Sequence, residues 1–288
     1  MLRESGKYLK DRGIGEPHLN AERLLCHVLG LRREELTLQC DRFVSPGHRS
    51  RIRTLLRRRA SRHPLQYLTG DTEFYGLPVR VNRRVLIPRP ETEVLVEKAV
   101  EEIHGLFATP VRILDIGTGS GNIAVALVKN VPESACTALD VDESILDVAR
   151  GNALLNGVDD RIRMVRGNFL RDVFFKKICA PFDVVVSNPP YVTTEEYESL
   201  APEIRDHEPR KALDAGPDGL VFFRRLAEIL PVLLKRNGIA LFETGETQAK
   251  DVGALFRKAG FEDIRVIQDY NHKDRVVLIR DLQGRNMK

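Results

Sequence analysis

The chain has 288 residues, with 45 Lys and Arg against 41 Asp and Glu, a net charge of +4, and 42% hydrophobic residues. That balance excludes a mainly disordered chain, and the length suits one large domain or a large and a small one. Charge is uneven: residues 1–80 carry 16 Lys and Arg against 9 Asp and Glu, while the rest is net −3, which points to two parts with different partners.

The first part reads as helical. Leu24, Leu25, Val28 and Leu29 recur at helical spacing after Asn20, a candidate N-cap. Ile52, Leu55 and Leu56 repeat the pattern in a second helix that starts near Ser45-Pro46, and residues 64–70 suit a short last turn closed by Gly70. Residues 1–71 are therefore expected to form a small helical bundle. Residues 72–88 are aromatic and β-branched, with Gly76-Leu77-Pro78 and Asn82 as breakers, which predicts a β-hairpin linker. From residue 89 the chain alternates. A helical pattern over 91–105 precedes strands at 111–117, 135–141, 161–167, 182–188, 238–245, 262–268 and 275–281, with helical stretches between most of them. Alternation of this kind predicts an α/β domain, a Rossmann-like, seven-stranded parallel sheet covered by helices. Its ligands belong beyond the carboxyl ends of the strands, where the strand order reverses.

The strand at 111–116 runs into Gly117-Thr118-Gly119-Ser120-Gly121, and the next strand ends in Asp140. Glycines at a strand-to-helix turn let the backbone approach a ligand, and an acidic residue about 20 positions on can accept from both ribose hydroxyls. A dinucleotide would want Gly-x-Gly-x-x-Gly. Here the spacing is Gly-x-Gly-x-Gly, preceded by Asp115, whose carboxylate repels pyrophosphate and suits a ligand bearing cations. S-adenosylmethionine, with a sulfonium and an amino group, fits better.

The strand at 182–187 ends in Asn188-Pro189-Pro190-Tyr191. Two prolines lock φ and donate no hydrogen bond, so the carbonyls around them are rigid acceptors. The Asn188 amide oxygen and the Pro189 carbonyl suit the two N–H groups of an amino group on a planar carbon, and Tyr191 supplies a flat face for it. Held this way, the nitrogen lone pair aims at a methyl on sulfonium. The tetrapeptide resembles that of DNA adenine-N6 and cytosine-N4, some ribosomal RNA and protein glutamine-N5 methyltransferases, so by itself it leaves the acceptor open.

Further segments narrow the choice. Pro64-Leu65-Gln66-Tyr67 with Gly70, Phe74-Tyr75-Gly76, Val85-Leu86-Ile87-Pro88-Arg89-Pro90-Glu91-Thr92-Glu93, the glycine loop, Ser187 to Tyr191, and His207-Glu208-Pro209 through Ala212-Leu213 together resemble the PrmC/HemK family, the peptide chain release factor glutamine methyltransferases. The resemblance covers nearly the whole chain. It implies methyl transfer from S-adenosylmethionine to the side-chain nitrogen (N5) of the glutamine in the Gly-Gly-Gln motif of release factors. It maps cofactor contacts onto Gly117 to Gly121, Asp140, Phe169 and Asn188, and substrate contacts onto Asn188, Pro189, Pro190 and Tyr191. One departure is Asn168-Phe169, where the family commonly has an acidic residue before the aromatic; Asn168 is expected to meet the adenine amino group through its amide oxygen. The rivals are a nucleic-acid amino-methyltransferase and a binding module without turnover. The net-acidic second part and the lack of room for a large target-recognition domain oppose the first, and the intact tetrapeptide opposes the second.

Seven arginines between Arg49 and Arg62 form either a solvated face or a docking surface for the release factor. His207 is a base or an ordering residue, and Glu91 and Glu93 either wall the cofactor cleft or complement a helix dipole. Cys26, Cys40, Cys136 and Cys179 are scattered without Cys-x-x-Cys and read as reduced, mostly buried thiols, with no metal expected. No apolar run of about 18 residues and no apolar core at the N-terminus suggest a membrane span or a signal peptide, so a cytoplasmic protein is expected, and the lack of an exposed apolar heptad makes a monomer the expectation.

Overall fold

In a computed structural model, residues 1–38, 43–107 and 110–281 are described. The chain divides into two compact units, Met1–Asp71 with Leu200–Glu208, and Thr72–Ser199 with the chain from Pro209 onward.

The first unit holds α1 (Leu2–Lys10), α2 (Pro17–Leu29), α3 (Arg33–Leu38), α4 (Pro46–Ala60) and α5 (Leu65–Thr69). Leu9, Leu24, Leu25, Ile52, Leu56 and Leu68 form its core. α4 starts where its sequence says, with Pro46 in the first turn and Ser45 Oγ accepting from the His48 N–H at 3.2 Å. α5 stops at Gly70, which adopts the left-handed conformation. α2 differs from expectation. It begins at Pro17, whose fixed φ suits the first helical turn, so Asn20 lies inside the helix and not at its N-cap. Asn20 Nδ2 instead donates to the Gly15 and Glu16 carbonyls at 3.0 Å, and its Oδ1 accepts from buried Arg59 Nε at 2.7 Å. Arg59 Nη1 and Arg62 Nη1 also donate to Glu203 Oε1 at 3.4 and 3.2 Å. Residues 200–208, expected within a continuous domain from 89 to 288, thus belong with the helical unit.

The second unit opens on a hairpin, β1 (Asp71–Phe74) and β2 (Leu77–Arg80), turned at Tyr75 and Gly76 with φ of 52° and 70°. Two positive φ values in a two-residue loop match the right-handed twist of paired strands. The hairpin is shorter than the expected 72–88, and Leu77-Pro78 belong to a strand and do not break it. The two-stranded sheet leaves an edge where a residue without an N–H is tolerated. Beyond α6 (Thr92–Leu106), all seven expected strands form: β3 (Val111–Ile116), β4 (Ser134–Asp140), β5 (Ile162–Arg166), β6 (Phe182–Ser187), β7 (Leu234–Glu243), β8 (Asp263–Gln268) and β9 (Asp274–Arg280). α7 (Asn122–Asn130), α8 (Glu143–Leu155), α9 (Val221–Leu233) and α10 (Ala249–Lys258) lie between them in sequence.

The strand order is β5-β4-β3-β6-β7-β9-β8. β3 and β6 are each buried at five of six positions and β4 at five of seven, as suits strands covered on both faces. The sheet is not wholly parallel, because β9 runs antiparallel to both β7 and β8. The few residues between β8 and β9 allow a hairpin but no parallel crossover, which takes a dozen or more. The chain builds outward from β3 through β4 to β5, then returns to β6 on the other side of β3. The order therefore reverses between β3 and β6. Of the cysteines, Cys136 is buried, Cys26 half-buried and Cys179 exposed, against the expectation of mostly buried thiols; Cys40 lies outside the described residues.

Candidate active site at the strand reversal

The glycine loop leaves β3 and turns across the end of β4. Gly117 and Thr118 N–H donate to the Leu139 carbonyl at 2.8 and 3.0 Å. Gly119 N–H donates to Asp140 Oδ2 at 2.9 Å, and Val141 N–H to Asp140 Oδ1 at 2.7 Å. Asp140 is thus a buried carboxylate held by its own loop, with the Asp142 N–H facing it as a third backbone donor. Burial raises its pKa. α7 begins directly behind Gly121.

Asp115 ends up fully buried, with Thr118 Oγ1 donating to its Oδ2 at 2.6 Å. Its Oδ1 has no hydrogen-bond partner of normal geometry, although the Ala124 N–H faces the carboxylate. Burial, with a smaller contribution from nearby Asp140, pushes Asp115 up to about 7. Two carboxylates confined at the mouths of β3 and β4, one with an unsatisfied oxygen, fit a ligand that brings positive charge and N–H or O–H donors. S-adenosylmethionine brings both, and pyrophosphate brings neither.

Asn168 and Phe169 follow β5. Asn168 Oδ1 accepts from the Leu170 N–H at 3.0 Å, so the oxygen expected to meet an adenine amino group already caps its own turn and keeps one lone pair. Phe169 is half-buried, with its ring 5.8 Å from that of Phe222, and Arg225 Nε donates to its carbonyl at 2.9 Å.

Asn188 to Tyr191 leave β6 beside the glycine loop. Ser187 Oγ donates to the Ile116 carbonyl at 2.6 Å and so ties the ends of β6 and β3 together. Pro189 is buried. Gln248 Nε2 donates to the Tyr191 carbonyl at 2.9 Å, and Val192 N–H donates to Leu213. Asn188 Nδ2 donates to Thr92 Oγ1 at 3.1 Å, which turns Oδ1 away from Thr92. The Tyr191 hydroxyl donates to Glu243 Oε1 at 3.3 Å. Burial, then the Glu243 charge, push the Tyr191 phenol well up. Burial pushes Glu243 itself up to about 7, offset in part by the Thr92 hydroxyl and the Arg275 guanidinium.

The structure therefore brings Gly117 to Gly121, Asp140 and Asn188 to Tyr191 to three adjacent strand ends. Thr92 and Glu243 join them without having been singled out by sequence. Their signals were a threonine within Ile87-Pro88-Arg89-Pro90-Glu91-Thr92-Glu93 and an acidic residue closing an otherwise apolar strand. Glu93, a candidate cleft wall, instead accepts from the Tyr75 N–H at 2.8 Å and holds the hairpin turn. His207 lies in the helical unit, its ring 4.2 Å from that of His63. Among the described residues no group of three or more His, Cys, Asp or Glu is placed to hold a metal ion, and no helix is long and apolar enough to cross a membrane.

Residues 1–70 match the PrmC N-terminal domain, and residues 91–216 match the methyltransferase small domain. Two solved structures share the fold over part of this chain: a methyltransferase from Pyrococcus furiosus (20% identity, TM-score 0.52, 73% of this chain and 91% of that one) and the hMettl16 catalytic domain bound to a MAT2A 3′UTR hairpin (19% identity, TM-score 0.55, 74% and 79%). Release factor glutamine methyltransferases match over most of their length. That of Chlorobaculum tepidum is 42% identical over 278 residues, 96% of this chain and 94% of that protein. That of Geobacter sulfurreducens is 40% identical over 270 residues, 94% and 92%. With identities of this size over nearly both full lengths, the chain belongs to the release factor glutamine methyltransferase family.

Proposed function

We propose that this chain methylates the N5 side-chain nitrogen of the glutamine in the Gly-Gly-Gln motif of peptide chain release factors. The observation that carries the reading is the Asn188 amide, which gives its nitrogen to Thr92 and so presents its oxygen beside the glycine loop. S-adenosylmethionine, when bound, supplies an electrophilic methyl on a sulfonium. Gly117 to Gly121 and Asp140 hold its ribose and amino-acid portion, and Phe169, with Asn168, lines the adenine side. Asn188 Oδ1 and the Pro189 carbonyl accept the two N–H groups of the substrate amide, Pro190 keeps the turn rigid, and the Tyr191 ring packs on the amide plane. Positioning of this kind contributes several kcal/mol. The same acceptors support positive charge as it grows on the substrate nitrogen, and no strong base is needed because the proton leaves after transfer.

Residues 1–71 dock the release factor. Five arginines of α4, Arg49, Arg51, Arg53, Arg57 and Arg58, are exposed, while Arg59 is buried and Arg62 is half-buried against Glu203. The exposed five form the docking face, any nucleic acid being met only indirectly through the translation machinery. The chain acts as a cytoplasmic monomer.

The test is mass spectrometry of release factor incubated with this protein and S-adenosylmethionine. One added methyl on the Gly-Gly-Gln glutamine is expected. Label transferred to DNA, with the release factor unmodified, would instead make it a nucleic-acid amino-methyltransferase.

A further inference from the structure

Asn188 works only if its amide is the right way round. An asparagine side chain is nearly symmetric in shape, so contact shape alone does not choose between its oxygen and its nitrogen. The choice is made by what stands behind it.

Glu243 is 1% exposed and ends β7. The residue before it, Phe242, pairs with Ser187 in parallel register, so Glu243 and Asn188 are the next residues on neighbouring strands. Glu243 Oε1 accepts from the Tyr191 hydroxyl. Oε2 is buried without a short donor, and the hydroxyl that faces the carboxylate is that of Thr92. Thr92 is 1% exposed, which leaves it no water partner.

A threonine hydroxyl has one proton to give. Above its raised pKa of about 7, Glu243 is an ionised carboxylate that only accepts, so that proton points at Glu243. Thr92 Oγ1 is then an acceptor toward Asn188 and meets its NH2, as observed. The amide oxygen is forced to the opposite side. A neutral amide in place of the carboxylate removes this constraint. Its own NH2 can donate to Thr92, whose hydroxyl then donates to Asn188 Oδ1, and the reversed Asn188 offers N–H to a substrate N–H.

We infer that Glu243 and Thr92 are positioning residues: together they set the hydrogen-bond direction at Asn188 so that its oxygen faces the substrate amide, while Glu243 also anchors the Tyr191 ring through its hydroxyl. The inference rests on the methyltransferase reading given above. It places the determinant of amide orientation on β7 and α6, outside the tetrapeptide.

The test uses the full chain with release factor and S-adenosylmethionine at a pH above the raised pKa of Glu243, and compares Glu243→Gln, Thr92→Val and Thr92→Ser. Glu243→Gln and Thr92→Val should each lower kcat about tenfold or more, with the KM for S-adenosylmethionine changed less than about threefold. Thr92→Ser, which keeps the hydroxyl, should stay within about threefold of wild type. The double variant should be little worse than either single one, because both break the same chain of hydrogen bonds. Nitrogen-15 NMR of the Asn188 side chain gives a reading independent of turnover. One NH2 proton should be protected from exchange in wild type and Thr92→Ser, and lose that protection in Thr92→Val. Glu243→Gln turning over within about twofold of wild type, or Thr92→Val matching Thr92→Ser, overturns the inference. A wild-type protein that leaves release factor unmethylated overturns the methyltransferase reading instead, and the NMR comparison still decides the orientation of Asn188.

Discussion

At Asn188 a single oxygen carries the proposed chemistry. Asn188→Ala removes the acceptor and leaves a substrate N–H unpaired, which costs about 1–3 kcal/mol before any loss of alignment. Single-turnover rates should fall about 100-fold or more, with cofactor affinity changed far less. Asn188→Asp should be nearly as damaging. It has no N–H to give Thr92 Oγ1, and it sets a second carboxylate close to Glu243. Wild-type turnover by Asn188→Ala would reduce the tetrapeptide to a structural turn. Asp140 has a different dependence. In the proposed function its carboxylate meets the cofactor's ribose, and charge-assisted hydrogen bonds contribute about 1.5–3 kcal/mol. Asp140→Ala should therefore weaken cofactor binding about 10- to 100-fold, and an unchanged Kd by calorimetric titration would contradict its assignment. Both residues were legible in the sequence, because each ends a strand in a recognisable register with a loop. Thr92 and Glu243 were not, since their meaning lies in which atom each faces.

The glycine loop illustrates what an element requires of its neighbours. Gly121 has a φ of +79°, and a Cβ there would stand 3.0 Å from Ala149 Cβ and 3.1 Å from Ala149 Cα on α8. The backbone on the far side cannot give way as a flexible side chain would. Strain in the left-handed region costs roughly 1–2 kcal/mol and overpacking about 1–3 kcal/mol. Gly121→Ala should thus lower stability by about 2–4 kcal/mol in urea unfolding and weaken cofactor binding in parallel. A variant as stable as wild type would show that α7 and α8 can part without cost. Elsewhere, α8 takes the place of a neighbouring strand for the hairpin. Asn152 accepts from the Arg80 N–H at 2.7 Å and donates to the Arg80 carbonyl at 2.9 Å. Nothing in the local pattern of either segment announces that pairing.

For the molecule as a whole, two buried carboxylates link stability to pH. Asp115 and Glu243 titrate at about 7 in the fold, raised by burial, against ordinary values near 4. The folded chain therefore binds more protons than the unfolded chain between roughly pH 4 and 7. The stability this represents is complete below about pH 4 and is lost as the pH rises through 7, by about 3 kcal/mol or more per group. Glu243→Gln should then gain stability relative to wild type between pH 5 and pH 8, by about 2–3 kcal/mol. An equal difference at both pH values would show that Glu243 stays ionised throughout. The proposed docking face has its own test. Arg53→Glu with Arg57→Glu, both exposed, should raise the KM for release factor and leave the Kd for cofactor as it was. Unchanged kinetics on intact release factor would return α4 to a solvated face.

How much of this could be read without coordinates follows from the range of the forces involved. The seven strands, the start of α4 at Ser45-Pro46 and the loop after β3 depend on patterns a few residues long: apolar runs, caps, and glycines where φ must be positive. These are local rules, and the sequence alone was enough for them. The same holds for the rigid turn of Asn188 to Tyr191, since two prolines constrain the backbone wherever they stand. Other features depend on partners far away in the chain. The helical unit holds residues 200–208 because Glu203 meets Arg59 and Arg62, about 140 positions earlier. The antiparallel β9 was set by the shortness of its connection to β8. The direction of the Asn188 amide was decided by Thr92 and Glu243, 96 positions before it and on the next strand over. A buried hydrogen bond has a direction only once both partners are in place, and only the folded chain puts them there.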